Sequence, residues 1–242
     1  MSNFFDIALN RILGKTISSP IERISFGNKG DYVVLLHGIL RLPGCMNNIA
    51  KALEHKGYEV INFRYPSRRY PIDILADSFL DECIKTFCTN KLKKIHFVTH
   101  SLGGIVLRKY LKDKPLLRIG RVVMIAPPNH GSIMVDVFKN NFLFKLIFGV
   151  TAQQLGTGKD SYLNSLPQQV NFELGVIAGN KSINPLSYFL IKQKNDGIVT
   201  IQSTKISGMK DHVTLPKSHY MILYNKKTIA QTLHFIANGQ FF

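Results

Sequence analysis

The residues best placed by type and spacing to do chemistry are Thr99-His100-Ser101-Leu102-Gly103. They follow Ile95-His96-Phe97-Val98-Thr99, a short β-branched and aromatic run, and precede a stretch of helical spacing that reaches about Leu111. A serine on a tight strand-to-helix turn carries its hydroxyl above the sheet, where it can attack a carbonyl. Small residues two places before and two after the serine let strand and helix approach. Gly103 and Gly104 meet that need on one side, whereas Thr99 adds bulk where glycine is usual.

A serine hydroxyl is a poor nucleophile at neutral pH and needs a base. The chain order expected for such a turn is serine, acid, histidine, which directs attention to the end of the chain. His219 follows Pro216-Lys217-Ser218, in a loop that would rise from a short strand at Val213–Leu215. His212, the rival, falls at the start of that strand. Asn195-Asp196-Gly197 is a turn signal in the region where the acid belongs. Asp196 would accept the Nδ1 proton of His219 and fix its tautomer. Asp211 is the alternative acid, but it abuts the start of the last strand and so belongs at the wrong edge. An oxyanion hole requires two main-chain N–H groups. The expected donors are Leu102, after the nucleophile, and Ile39, in the turn His37-Gly38-Ile39-Leu40. His37 and His100 precede the acid and are read as shaping these turns; His234 falls in a terminal helix.

The elements that must position these residues follow from periodicity. Buried strands are expected at Tyr32–Leu36, Tyr58–Phe63, Ile95–Thr99, Arg121–Ala126, Phe172–Ala178 and Val213–Leu215. Helices are expected near Met46–Lys56, closed by Gly57, at Ile72–Phe87, after Ser101, and at Lys226–Ala237. This alternation predicts one α/β domain over residues 1–242, with a mainly parallel sheet covered by helices on both faces. The rhythm breaks between Gly131 and Phe172 for about forty residues, far beyond ordinary loop lengths. Within that stretch, Phe138–Val150 carries Phe138, Phe142, Leu143, Phe144, Leu146, Ile147 and Phe148, which circle a helix instead of striping one side. It is read as a helical cap or lid inserted over residues 132–171. Phe4, Phe5, Ala8, Leu9, Ile12 and Leu13 share one helix face and predict an N-terminal helical extension over residues 1–20.

Composition narrows the classes. The chain of 242 residues is 45% hydrophobic and 19% charged, which is globular and not disordered. Three cysteines, Cys45, Cys83 and Cys88, are too few and scattered for a disulfide framework and suit a reducing compartment. No apolar run is long enough for a membrane span, and the first residues do not read as a signal peptide. A cytoplasmic location is therefore expected. The net charge of +16 favours a polyanion. No nucleic-acid module accompanies it, so the expected anionic partner is a membrane surface touched peripherally, and not nucleic acid. No HExxH, histidine ligand spacing or glycine-rich phosphate loop is present, so neither metal nor cofactor is expected.

Several motifs together carry a resemblance. Leu35-Leu36-His37-Gly38, Val98-Thr99-His100-Ser101-Leu102-Gly103-Gly104, Ala126-Pro127-Pro128-Asn129-His130-Gly131-Ser132, Asp196-Gly197-Ile198-Val199 and Ser218-His219 resemble bacterial lipases and esterases of the α/β-hydrolase superfamily. The nearest likeness is to the small lipase-like hydrolases related to GPI inositol-deacylases. It covers Tyr32 to the C-terminus and departs from the usual pattern at Thr99. The resemblance implies the α/β-hydrolase fold. It also implies a serine esterase or lipase that hydrolyses small-molecule or lipid esters with hydrophobic acyl groups, through an acyl-enzyme on Ser101. The same triad could serve a thioesterase, amidase or acyltransferase, and the fold alone could serve a binding module, because one fold hosts many functions.

Overall fold

The computed structural model describes residues 30–242 together with the strand Ile21–Ile24, here β1. The helical extension expected over residues 1–20 lies outside the described residues. Tyr32–Leu36 forms β2, and all five of its residues are buried. Tyr32, Val34 and Leu36 pack into one core and Val33 and Leu35 into another. Successive side chains of a strand point to opposite faces, so a strand covered on both sides reads as a near-continuous apolar run. β3 (Glu59–Phe63), β4 (Ile95–His100), β5 (Ile119–Ile125) and β6 (Leu174–Gly179) are likewise largely buried, with Asn62, His96, Thr99 and His100 as buried polar positions, and they close on the edge strand β7 (Asp211–Leu215).

The seven strands form one sheet in the order β1-β3-β2-β4-β5-β6-β7. Six strands are parallel, and only β1 runs antiparallel, against β3. One face is covered by α1 (Asn47–His55) and α8 (Lys226–Asn238). The other is covered by α3 (Leu102–Asp113) and by α2, which is built from Ile72–Ile74, a π-helical stretch Leu75–Leu80, and Asp81–Phe87. The helix-strand alternation expected from periodicity is thus the observed architecture, with helices on both faces. Gly57, at φ 90°, follows the end of α1 as expected of a helix-terminating glycine.

Elements that escaped the sequence include the short helix α7 (Ile201–Thr204) and two others. Ile21–Ile24 is too short to show a period. The helix α6 (Pro185–Leu190) keeps Leu186, Tyr188 and Phe189 exposed, so no buried stripe announces it. Its start signals are local: the Asn184 side chain accepts from the Leu186 N–H, and proline stands in the first turn.

The stretch between β5 and β6 holds α4 (Ile133–Phe138), α5 (Phe142–Gln153) and a short 3-10 turn at Tyr162–Ser165. The apolar helix expected at Phe138–Val150 is therefore displaced toward the C-terminus. Asn141 sets its start by accepting from the Phe144 N–H at 3.2 Å. It kinks at Gly149, where φ is 69°. The loop after β3 clasps it: Arg68 Nη1 donates to the Ile147 carbonyl at 2.7 Å, and Thr151 Oγ1 to the Tyr70 carbonyl at 2.6 Å.

Candidate active site

Parallel strands deliver all their following loops to one edge. The order β3-β2-β4-β5 places the chain reversal between β2 and β4, where open α/β sheets form their crevices. Ser101 follows β4 directly, and the His37–Leu40 turn follows β2. Leu36 pairs with Thr99 in the ladder, so the two loops are neighbours.

Ser101 has φ 51° and ψ −121°. A non-glycine residue there stores about 1–3 kcal/mol of strain. The turn is held by the Ser101 N–H, which donates to the Ile125 carbonyl at 2.9 Å, and by the Gly104 N–H, which donates to the Ser101 carbonyl at 3.0 Å. A Cβ on Gly103 would stand 2.4 Å from the Leu36 carbonyl oxygen, so helix α3 can cross β2 only with glycine there. Thr99, the departure from the usual pattern, is fully buried, and its hydroxyl finds no hydrogen-bond partner among the described residues. Its extra bulk is taken up against Gly104, whose missing Cβ would lie 3.2 Å from Thr99 Oγ1.

The structure brings Ser101, Asp196 and His219 together. His219 Nε2 lies 3.1 Å from Ser101 Oγ, and His219 Nδ1 lies 2.8 Å from Asp196 Oδ2. The carboxylate is oriented by its other oxygen, which accepts from the N–H groups of Ile198 at 3.0 Å and Val199 at 2.8 Å. The His219 N–H donates in turn to the Asp196 carbonyl at 2.9 Å. All three residues are buried. The rivals are placed elsewhere. Asp211 opens β7 at the opposite edge, where it accepts from the Phe241 N–H. His212 Nε2 lies 3.1 Å from Thr204 Oγ1. His234 is in α8, against the Gln240 carbonyl.

The two expected oxyanion donors flank the serine. Leu102 opens α3, so its N–H is one of the first-turn donors without an intrahelical partner. Ile39 lines the same cavity as Ser101. Gly38 lets this turn close on Ser101, because a Cβ on it would stand 2.8 Å from His100 Nδ1 and 3.2 Å from Ser101 Cβ.

His37 and His100 support these turns. His37 Nδ1 donates to the Gly38 carbonyl at 2.8 Å, and its ring stacks on Tyr65 at 4.3 Å. Burial lowers its pKa to about 4. His100 donates from Nε2 to the His219 carbonyl at 3.0 Å. Burial, helped by the neighbouring His219, holds it well below the usual histidine range, so it stays neutral. Sequence reasoning did not find this tether, because it runs to a main-chain atom. It also missed Arg108, which is buried in α3 and donates to the Asn129 carbonyl at 2.9 Å and the Pro167 carbonyl at 2.8 Å. Arg108 ties both ends of the stretch between β5 and β6 to the helix that follows Ser101.

Above Ser101 opens a cavity of about 500 Å³. Its apolar wall comes from the insertion, through Met134, Val135, Phe138, Phe144, Phe148 and Leu155. Phe144, Phe148 and Ala152 recur every fourth residue and turn one side of α5 inward. Phe142, Leu143, Leu146, Ile147 and Val150 occupy the outer side and are exposed. Apolar residues thus stand on both sides of the helix, one set against the cavity and the other exposed.

No protein-family model and no curated protein matches the sequence. Solved structures do match. The chain is similar to the mature form of lipase BlEst2 from Bacillus licheniformis, with 20% identity, a TM-score of 0.68, and coverage of 90% of this chain and 96% of that one. It is similar to the metagenomic carboxyl esterase MGS0156, with 21% identity, a TM-score of 0.63, and coverage of 85% of this chain and 69% of that one. It is also similar to phospholipase PlaB from Legionella pneumophila, with 20% identity and a TM-score of 0.61 over 72% of this chain. This chain spans 45% of that phospholipase. The chain therefore shares the α/β-hydrolase fold of these structures.

Proposed function

We propose that the protein is a serine esterase acting on carboxylic esters with hydrophobic acyl groups. The observation that carries this reading is the unbroken chain Asp196–His219–Ser101, at 2.8 and 3.1 Å, opening into an apolar cavity. In the acylation step His219 Nε2 takes the Ser101 proton as Oγ attacks the ester carbonyl. The main-chain N–H groups of Ile39 and Leu102 receive the oxyanion. Collapse breaks the bond to the alcohol oxygen, which leaves with the proton returned by His219. Water then attacks the acyl-Ser101 ester by the same route, releasing the acid and restoring the serine. Asp196 holds the tautomer and stabilises the imidazolium.

The solved lipases, esterase and phospholipase that share the fold support an ester over an amide. The acyl group would lie against Phe138, Phe144 and Phe148, under an insertion acting as a lid. The exposed side of α5, with Phe189 on α6, suits contact with a lipid surface. Residues 137–159 hold no acid and carry Lys139, Lys145 and Lys159; residues 174–195 hold no acid and carry Lys181, Lys192 and Lys194. Such a basic, apolar rim favours an anionic membrane, touched peripherally. Hydrolysis of p-nitrophenyl esters of increasing chain length, beside Ser101→Ala, tests the reading. Turnover that vanishes in the variant supports it, and turnover that persists defeats it.

A further inference from the structure

Arg41 stands two residues after Ile39, in the turn after β2. Its N–H donates to the Gly38 carbonyl at 3.3 Å, and Leu40 before it is held at φ 55°. The guanidinium lies 4.0 Å above the centre of the Tyr220 ring. Tyr220 lines the cavity and directly follows His219, whose ring it meets edge-on at 5.3 Å. Stacking of this kind positions a guanidinium while leaving its N–H groups free at the edge. Among the described residues no carboxylate lies within 4.0 Å of Arg41 and no acceptor takes its side-chain N–H groups. Among the described residues the only carboxylate lining the cavity is Asp196, which is committed to His219. Residues 37–53 and 60–72, which contain the loops after β2 and β3, hold no acid at all. Burial and the neighbouring His219 do most to keep His100 unprotonated, and the positive charge of Arg41 acts in the same direction.

From this placement we infer that Arg41 forms an anion subsite for a phosphate carried on the alcohol side of the ester. The inference rests on the esterase reading, which decides the side. His219 must return its proton to the departing alcohol oxygen, so that part of the substrate sits over His219 and its neighbour Tyr220. The acyl part occupies the opposite wall, built from Phe138, Phe144 and Phe148. A guanidinium on the alcohol side can receive a phosphate through two parallel N–H···O bonds. The favoured substrates are therefore acyl esters of phosphorylated alcohols, in preference to the same esters without phosphate.

Binding to Ser101→Ala protein tests the subsite without turnover. The probes are 1-lauroylglycerol 3-phosphate and 1-lauroylglycerol below their aggregation limits, followed by calorimetry. The phosphate is expected to tighten binding about tenfold or more, as for one charge-assisted contact, and the gain is expected to fade with added salt. Adding Arg41→Gln should bring the two affinities together, and Arg41→Lys should keep part of the gain. Equal affinities in the Ser101→Ala protein, or a preference untouched by Arg41→Gln, would overturn the inference. Glycerol 3-phosphate should compete only weakly. Competition as strong as that of the acylated probe would also overturn it, by marking a site for free phosphate esters. Serine-dependent turnover of a neutral p-nitrophenyl ester scores the esterase reading separately, so the two failures are distinguishable.

Discussion

His100 Nε2 donates to the main-chain carbonyl of His219 at 3.0 Å, so the residue that precedes Ser101 tethers the histidine whose Nε2 faces the Ser101 hydroxyl. The two rings lie 4.9 Å apart, and burial keeps His100 uncharged. A charged ring there would repel the imidazolium that the proposed mechanism forms on His219. His100→Phe removes the tether while keeping a flat buried ring. One neutral hydrogen bond contributes about 1 kcal/mol, so kcat should fall by about fivefold to tenfold with KM changed much less. Steady-state kinetics on a short ester check this split.

Asp196 is committed on both oxygens: one to His219 Nδ1, the other to the N–H groups of Ile198 and Val199. An asparagine cannot serve both. Turned one way it offers an N–H to His219 and enforces the wrong tautomer; turned the other way it sets a donor against two donors. Asp196→Asn should lower kcat by about four orders of magnitude, while circular dichroism shows the fold retained.

Gly103 and Gly104 make opposite predictions despite being neighbours. A Cβ on Gly103 would meet the Leu36 carbonyl at 2.4 Å, a main-chain atom that cannot swing away. On Gly104 it would meet Thr99 Oγ1, Met124 Sδ and Pro127 Cβ at 3.2 to 3.3 Å, which small shifts relieve. Gly103→Ala should cost about 2–3 kcal/mol, and Gly104→Ala about 1 kcal/mol or less. Urea midpoints of the two variants give the comparison.

Acid stability follows from His37, which is 1% exposed and whose pKa falls from 6.5 to about 4 on burial. Between those values the unfolded chain binds a proton that the folded chain does not. Stability therefore rises with pH across this window and is lost as pH falls from 6.5 toward 4, by about 3 kcal/mol from this group alone. His37→Phe keeps a ring against Tyr65 and should flatten the slope. Equal slopes for wild type and variant between pH 6.5 and 4 would remove His37 from the explanation.

The fold was legible where burial on two faces leaves an unbroken apolar run, as in Tyr32–Leu36, whose observed bounds are those expected. It was illegible where neither period nor length speaks, as in Ile21–Ile24 and Pro185–Leu190. The residues Ser101, Asp196 and His219 could be singled out because chain order and the sheet edge constrain them. Asp211 and His212, their rivals, stand on β7 itself and so cannot reach that edge. Contacts that run from a side chain to a distant carbonyl left no mark. Arg108 to Pro167 and Arg68 to Ile147 depend on how the insertion folds back, which no local pattern encodes. Thr99 shows the reverse case. A local departure from the usual motif is absorbed because Gly104 faces it.

The central claim is a covalent acyl-enzyme on Ser101. Its most direct test is a rapid acid quench after mixing with p-nitrophenyl octanoate, followed by mass spectrometry of the digested protein. The account predicts a burst of p-nitrophenol near one equivalent and an octanoyl group on the peptide that contains Ser101, both absent from Ser101→Ala. An acyl group on another residue, or unchanged turnover in Ser101→Ala, would contradict it.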